Sequence, residues 1–342
     1  MPNAAYFHAA DLTQLALLLL IPLELLLASA MRARAEYELK DTLANVAMSI
    51  GSIFFWGTFS GVFMTAVWFA YRHRIADVPF SAWSFAVAFV AEDLRYYIWH
   101  RISHRSRWFW ASHVIHHSSQ HFNLSTNLRQ SWTSQFSGLI LMNVPMAFLG
   151  FHPSTVALAF TVNLLYQFWI HTETIDKMPR WFEWLLNTPS HHRVHHASNA
   201  RYLDANYAGV FMIWDRLFGT FVAEQAEERP RYGIVKNLGT VNPLRIAVHE
   251  YVGIARDIAR PGLTLRQRLG YFFAPPGWRH DGAHKTTASL RAADAARRER
   301  SLRAGGGAVT ASAGFAGTGT AGSAGAASVS PADPRLASAR TA

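Results

Sequence analysis

The chain has no cysteine, which removes three chemistries at once. Without thiols there is no disulfide framework, no thiolate zinc site and no cysteine-held iron–sulfur cluster. Charge is scarce too, at 16% of 342 residues, while half of the residues are hydrophobic. Typical soluble domains carry about 25% charged residues, and here the apolar residues fall in long runs of the kind that cross membranes. No G-x-G-x-x-G dinucleotide fingerprint follows a strand, and no haem-binding cytochrome domain is recognisable. The chain therefore shows no means of its own for collecting electrons. No nucleic-acid motif accompanies the net charge of +10. Basic residues outside the apolar runs fit membrane anchoring instead, and nucleic acid is not an expected partner.

What the chain does have is histidine, 17 residues in all, twelve of them between His100 and His196. They fall into an H-x-x-x-H (His100, His104) and two H-x-x-H-H boxes (His113, His116, His117 and His192, His195, His196). At this histidine content one such box arises by chance roughly 0.04 times per chain, so two copies point to a built site. Residues three and four apart share a helix face, so each box is expected to offer two or three imidazoles to one point. Imidazole suits iron, zinc, copper and nickel. Eight imidazoles exceed one tetrahedral zinc and match two metals with open positions. His171, ending an apolar run at the same face, is expected to join as a ninth. His191 diverges from His192 by about 100° and His121 falls off its box's face, so neither is expected to bind. His152 reads as structural, and His249 has no partner spacing.

The fold expected is all-α: a polytopic integral membrane protein with a histidine-box di-metal cap on the cytoplasmic face. Spans are expected at about 12–30, 45–71, 80–99, 134–150 and 154–170, within a membrane-embedded region 1–283 holding the boxes at 100–117 and 171–196. Residues 284–342 read as a basic helix followed, from 304, by a disordered Ala/Gly/Ser-rich tail. The first run lacks a basic n-region and cleavage site and is expected to be retained. Arg32, Arg34, Arg95, Arg101, Arg105 and Arg107 put the boxes in the cytoplasm, although Arg72 and Arg74 then lie outside unless the second segment re-enters. Glu92 and Asp93, eight and seven residues before His100, either orient a ligating imidazole or pair locally with Arg95. Tyr207, Phe211, Trp214 and Phe218 recur at helical spacing, an amphipathic stripe from Asn206 to Phe221, with Asp215 and Arg216 as candidate braces. Glu24, inside the first run, is expected to snorkel or to meet a neighbouring helix.

The boxes, the run Asn163–Thr172 (NLLYQFWIHT), the stretch Asn187–His196 (NTPSHHRVHH) and Asn206–Phe221 (NYAGVFMIWDRLFGTF) resemble the sterol desaturase/fatty acid hydroxylase superfamily over about residues 12–233. Asp41–Asn45 is similar as well, and the nearest branches are bacterial sterol desaturase-like proteins and the alkylglycerol monooxygenases. The resemblance implies a multi-pass enzyme of a bacterial inner membrane. It implies two iron ions held by His100, His104, His113, His116, His117, His192, His195 and His196, with His171 between them in sequence. The implied chemistry is O2-dependent hydroxylation or desaturation of an unactivated lipid C–H bond. Electrons would come from a separate ferredoxin, cytochrome or reductase or, in the alkylglycerol branch, from a tetrahydropterin. A basic surface at Arg101, Arg105, Arg107 and Arg193 is expected to dock an acidic carrier or anionic lipid. His121 departs from the family pattern, which is acidic or aromatic there. A metal transporter is the competing class, but its ligands belong at the bilayer midplane, whereas these gather beyond the span ends.

Overall fold

A computed structural model describes residues 20–30 and 35–313, with the backbone alone at 139, 140 and 302–313. Among the described residues there are helices and isolated bridges but no strand. Arg32, Arg34, residues 12–19 of the first expected span and the tail from 314 lie outside the described residues.

Two short helices and two long ones come first in the described chain. Helix α1 is Leu20–Ala30. Helix α2, Leu39–Arg72, starts where the Glu38 carboxylate accepts from Asp41 N and ends at His73. Its 34 residues make it the one described helix long and apolar enough to cross a membrane. Ile50, Phe54, Val62 and Phe69 are exposed along it. Helix α3, Ala82–Arg105, opens with a reciprocal Ser81/Ser84 capping box, and Ser106 both ends it and starts α4, Arg107–His117. The extended backbone of Ser106 (φ −130°, ψ 128°) breaks the helix between the first two histidine boxes. Helix α4 can thus fold back on α3.

The expected span at 134–150 is not one helix. Gly138 takes φ +89° between two 3₁₀ turns, Ser134–Ser137 and Leu139–Asn143, and Pro145 then opens the short α5, Val144–Leu149. A left-handed residue cannot continue a helix, and proline lacks the N–H that an interior turn needs. The reversal at Phe151–Pro153 forms as expected and leads into α6, Pro153–Trp169. There His152 Nδ1 accepts from Ser154 N at 3.2 Å while its ring packs edge-on against Trp68 and Tyr71, the structural role foreseen for it. Helix α3 lies on α6 and α2 on α5, with Ala88 of α3 and Val156 of α6 buried together with Met146 of α5, and Val67, Ala70 and Ala147 buried between α2 and α5.

Six further helices follow: α7 (Arg180–Leu185), α8 (Pro189–His195), α9 (Ile213–Leu217), α10 (Pro243–Ile258), α11 (Leu265–Phe273) and α12 (Thr287–Ala313). The stripe read as a helix from Asn206 to Phe221 is helical only in α9. Residues 206–211 are irregular because buried carboxylates take their amides: Asp215 binds Tyr207 N and Ala208 N, and Asp93 binds Val210 N and Phe211 N. Two compact units are distinguished, Met1–Asp294 and Ala295–Ala342. Every histidine box lies in the first. In the second, the helical backbone continues to Ala313, past residue 304 where the tail was expected to begin.

Candidate metal centre

The nine histidines named from the sequence converge, but in two groups. One holds His100, His104, His113, His117 and His195; the other holds His116, His171, His192 and His196. The His100/His104 box serves the first group alone, and each H-x-x-H-H box offers two imidazoles to one group, within the expected two or three, and its remaining one to the other. On α4, His113 and His117 stand four apart and share a row, whereas His116 is rotated about 60° from His113 and enters the other group. On α8 the pattern is reversed, with His192 and His196 in the second group and His195 in the first. Each H-x-x-H-H box therefore joins the two groups, and the His117 and His196 rings stack between them at 4.3 Å.

Nε2 atoms face Nε2 atoms throughout. In the first group the separations are 2.9 Å (His100–His113), 3.1 Å (His113–His117) and 3.1 Å (His117–His195). In the second they are 3.1 Å (His116–His171), 2.9 Å (His171–His192) and 3.2 Å (His192–His196). Neighbouring ligands at right angles, each about 2.1 Å from one metal, would stand about 3.0 Å apart. The spacing fits that arrangement.

The tautomers fit it as well. His100 Nδ1 lies 2.8 Å from Tyr207 O, His195 Nδ1 2.9 Å from Ala205 O, and His171 Nδ1 2.7 Å from Gln167 O. A carbonyl only accepts, so these Nδ1 atoms carry the proton and each Nε2 presents a bare lone pair to the centre. His104 Nε2 is buried with no hydrogen-bond partner, while its Nδ1 lies 3.4 Å from the Asp204 carboxylate. Burial first, then the neighbouring imidazoles, hold His113, His117, His192, His195 and His196 well below the usual histidine value. Burial lowers His116 to about 4. All six are therefore neutral near pH 7, the form a metal accepts.

Three of these orienting contacts come from residues 204–207, and sequence reasoning missed them. Asp204 and Asn206 both adopt φ 55°, a left-handed region that Asp and Asn tolerate better than other residues with a side chain. The alternation aims Asp204 at His104, the Ala205 carbonyl at His195 and the Tyr207 carbonyl at His100. Asn206 locks the turn: its amide donates to His191 O at 3.1 Å and Val222 O at 2.8 Å, and its Oδ1 accepts from Val222 N at 2.8 Å. The only signal was the Asp-Ala-Asn spacing, which the helical reading of the following stripe obscured.

The carboxylates divide. Glu92 forms a buried fork with Arg95 at 2.6 and 2.7 Å, the local pair. Asp93 touches no imidazole; besides the two amides it accepts from Trp214 Nε1 at 2.9 Å and Asn163 Nδ2 at 2.7 Å, so it holds the loop whose carbonyl orients His100. Asp215 braces the same loop, taking Thr220 Oγ1 at 2.6 Å, while Arg216 covers the Phe221 ring. Glu24 is buried and accepts from Tyr37, Thr172 and Leu124 N, which ties α1 to the segment after His171. Asp41 and Asn45 close on the buried Arg129, each at 2.9 Å.

Other sequence-named residues stay outside the groups. His191 faces Thr188 and Glu183, His249 bonds Ile246 O, and His121 joins neither group. The expected basic docking surface is dismantled in part. Arg107 is committed to Glu250 at 2.6 Å and Asp257 at 2.7 Å, and Arg193 to Glu224 at 2.8 Å and to the carbonyls of Ile175 and Asp176. Charge-assisted hydrogen bonds inside the protein outcompete solvent for both guanidinium groups. Arg105 remains half-exposed beside Asp204, and Arg101 reaches Tyr97.

Residues 85–220 match the fatty acid hydroxylase family. Alkylglycerol monooxygenase of Homo sapiens is 37% identical over 262 residues, 76% of this chain and 57% of the relative. That of Xenopus tropicalis is 42% identical over 209 residues, 60% of this chain and 45% of the relative. Cholesterol 25-hydroxylase of Homo sapiens is 30% identical over 141 residues, 37% of this chain and 47% of the relative. The chain thus spans about half the length of the curated relatives it matches. No solved structure matches it.

Proposed function

From the premise that residues 85–220 belong to the fatty acid hydroxylase family, we propose that the protein is a membrane-embedded, O2-dependent di-iron oxygenase that hydroxylates a C–H bond of a lipid. The observation that carries this reading is the pair of imidazole groups, five and four strong, whose Nε2 atoms converge in buried space. When bound, the two irons supply oxygen activation with electrons delivered from outside. The protein's own residues do the rest. His100, His104, His113, His117 and His195 would hold one ion; His116, His171, His192 and His196 would hold the other. Residues 204–207 keep three of the rings in their ligating orientation, and burial keeps water from the centre.

The multi-pass topology belongs to the same proposal. The exposed apolar length of α2 would face lipid, α5 and α6 pack against it and α3 against α6, and the centre would sit at the cytoplasmic ends of α3 and α6. An ether-linked glycerolipid is the favoured substrate class, because the alkylglycerol monooxygenases match at higher identity, and over more of the chain, than cholesterol 25-hydroxylase does. Desaturation of a lipid is the second outcome the same centre serves. Protein purified without oxygen is expected to carry two irons. Offered an alkylglycerol with a tetrahydropterin, or a sterol with a reductase, it should oxidise the ether lipid. One metal or none at saturation would overturn the di-iron reading, and preference for the sterol would overturn the substrate.

A further inference from the structure

Helices α10 and α11 lie beyond the segment that matches the family, and each divides its surface in three. On α10, Ile246, Ala247 and Ile254 are buried, the first two in a cluster with Met48 of α2 and Val114 and Ile115 of α4. Leu244, Val248, Val252 and Ala255 form an exposed apolar stripe within about 80° of arc at 100° per residue. Exposed Arg245 and Arg256 border that stripe. On α11 the pattern repeats: Tyr271 is buried, Leu265, Leu269 and Phe273 form the exposed stripe, and exposed Arg266 stands beside it. The only acidic residues from Pro243 to Phe273, Glu250 and Asp257, turn the other way and bind Arg107 of α4. Both outward faces are therefore apolar stripes edged by positive charge alone.

We propose that α10 and α11 lie flat on an anionic bilayer surface, with Leu244, Val248, Val252, Leu265, Leu269 and Phe273 sunk among the acyl chains and Arg245, Arg256 and Arg266 at the phosphate level. At about 1.5 Å per residue α10 is about 24 Å long, short of the roughly 30 Å hydrocarbon core, and its charged edge suits the interface rather than a crossing. Charge complementarity selects lipid over a second copy of this basic chain. Continuity selects it too, since α10 packs against α2, whose exposed side is apolar along its length. Through Arg107 this platform is bonded to the helix that carries His113, His116 and His117, so seating on the membrane also steadies the centre. The placement rests on the membrane-embedded reading above, and the experiment separates the two.

Because the chain has no cysteine, single-site labelling needs no background removal. The full chain carrying Val248→Cys, Leu269→Cys or, on α2, Phe54→Cys is labelled with an environment-sensitive fluorophore and reconstituted in phosphatidylcholine/phosphatidylserine vesicles. All three positions are exposed, so folding should survive. Labels at positions 248 and 269 are expected to be quenched by spin-labelled lipid and shielded from aqueous iodide. Combining Arg245→Ser, Arg256→Ser and Arg266→Ser should restore iodide access several-fold. Iodide access without lipid quenching at both positions would overturn the proposal while the α2 label still reports lipid. Shielding from both quenchers would also overturn it, showing a protein partner on that face. Lipid contact at 248 and 269 without lipid contact at position 54 would uphold the platform and refute the spanning reading instead. No effect of the arginine changes would overturn the choice of an anionic surface.

Discussion

At the residue scale the centre depends on which nitrogen of each imidazole is free. Carbonyls at Tyr207, Ala205 and Gln167 take the Nδ1 protons of His100, His195 and His171, so the inward Nε2 atoms need no rearrangement to bind a cation. Replacing His117 or His195 by alanine should abolish iron binding at one group and lower turnover by at least about a hundredfold, with membrane insertion unchanged. His152→Ala and His249→Ala, outside both groups, should leave turnover near normal; metal content and product formation measured together check this. Acid should act on the metal-free protein in a defined direction. His113, His116, His117, His192, His195 and His196 are held below their unfolded value of about 6.5, so below that pH the unfolded chain binds more protons than the native one. Stability is then full above about pH 6.5 and falls as pH drops toward the folded values, about 4 for His116. Thermal unfolding of chelator-treated protein between pH 7 and 4 should show that decline, and a flat profile would mean the imidazoles are not buried neutral.

At the element scale the Ser106 break and the 204–207 turn matter most. The break lets α4 fold against α3 so that His113 reaches His100. The turn carries three orienting groups on a backbone that favours Asp and Asn at its two left-handed positions. Asn206→Ala should cost about 1–3 kcal/mol for each buried partner left unsatisfied among His191 O, Val222 O and Val222 N. Iron affinity should fall with it, because Asp204, Ala205 O and Tyr207 O would lose their aim. Thermal unfolding with and without iron distinguishes the two effects: an unchanged affinity in a destabilised variant would confine Asn206 to folding. Gly209 belongs to the same loop, since a Cβ there would stand 2.7 Å from Asn163 Oδ1 and 2.9 Å from Asp93 Oδ1.

At the scale of the whole molecule the question is electrons. The O2-dependent hydroxylation proposed above would consume two reducing equivalents, and this sequence carries neither a strand-borne dinucleotide fingerprint nor a cysteine for an iron–sulfur cluster. Two of the four arginines expected to receive a carrier are spent inside the fold, Arg107 on α10 and Arg193 on Glu224. The purified protein given NADH, oxygen and lipid is therefore expected to be inert until a reductase system or a reduced pterin is added. Sustained product formation with NADH alone would refute a separate donor. Salt sensitivity of the donor-dependent rate should be modest, because Arg101 and Arg105 alone make a weak steering field.

The histidine spacing was legible in the sequence because a helix turns about 100° per residue whatever surrounds it, and so were the reversal at Phe151–Pro153 and the exclusion of His152 and His249. The division of each H-x-x-H-H box between two groups was not. That depends on how α4 and α8 meet, with His117 against both His195 and His196, so that a 60° offset becomes a different neighbour. Nor was the irregular path of residues 206–211, where apolar periodicity pointed to a helix. Two buried carboxylates, Asp93 and Asp215, supply stronger acceptors to those amides than helix carbonyls would. The fate of Arg107 and Arg193 was hidden for the same reason: their partners Glu250 and Glu224 lie far along the chain. Local chemistry and helical period named the nine imidazoles. Long-range contacts between carboxylates, amides and guanidinium groups decided where each one points.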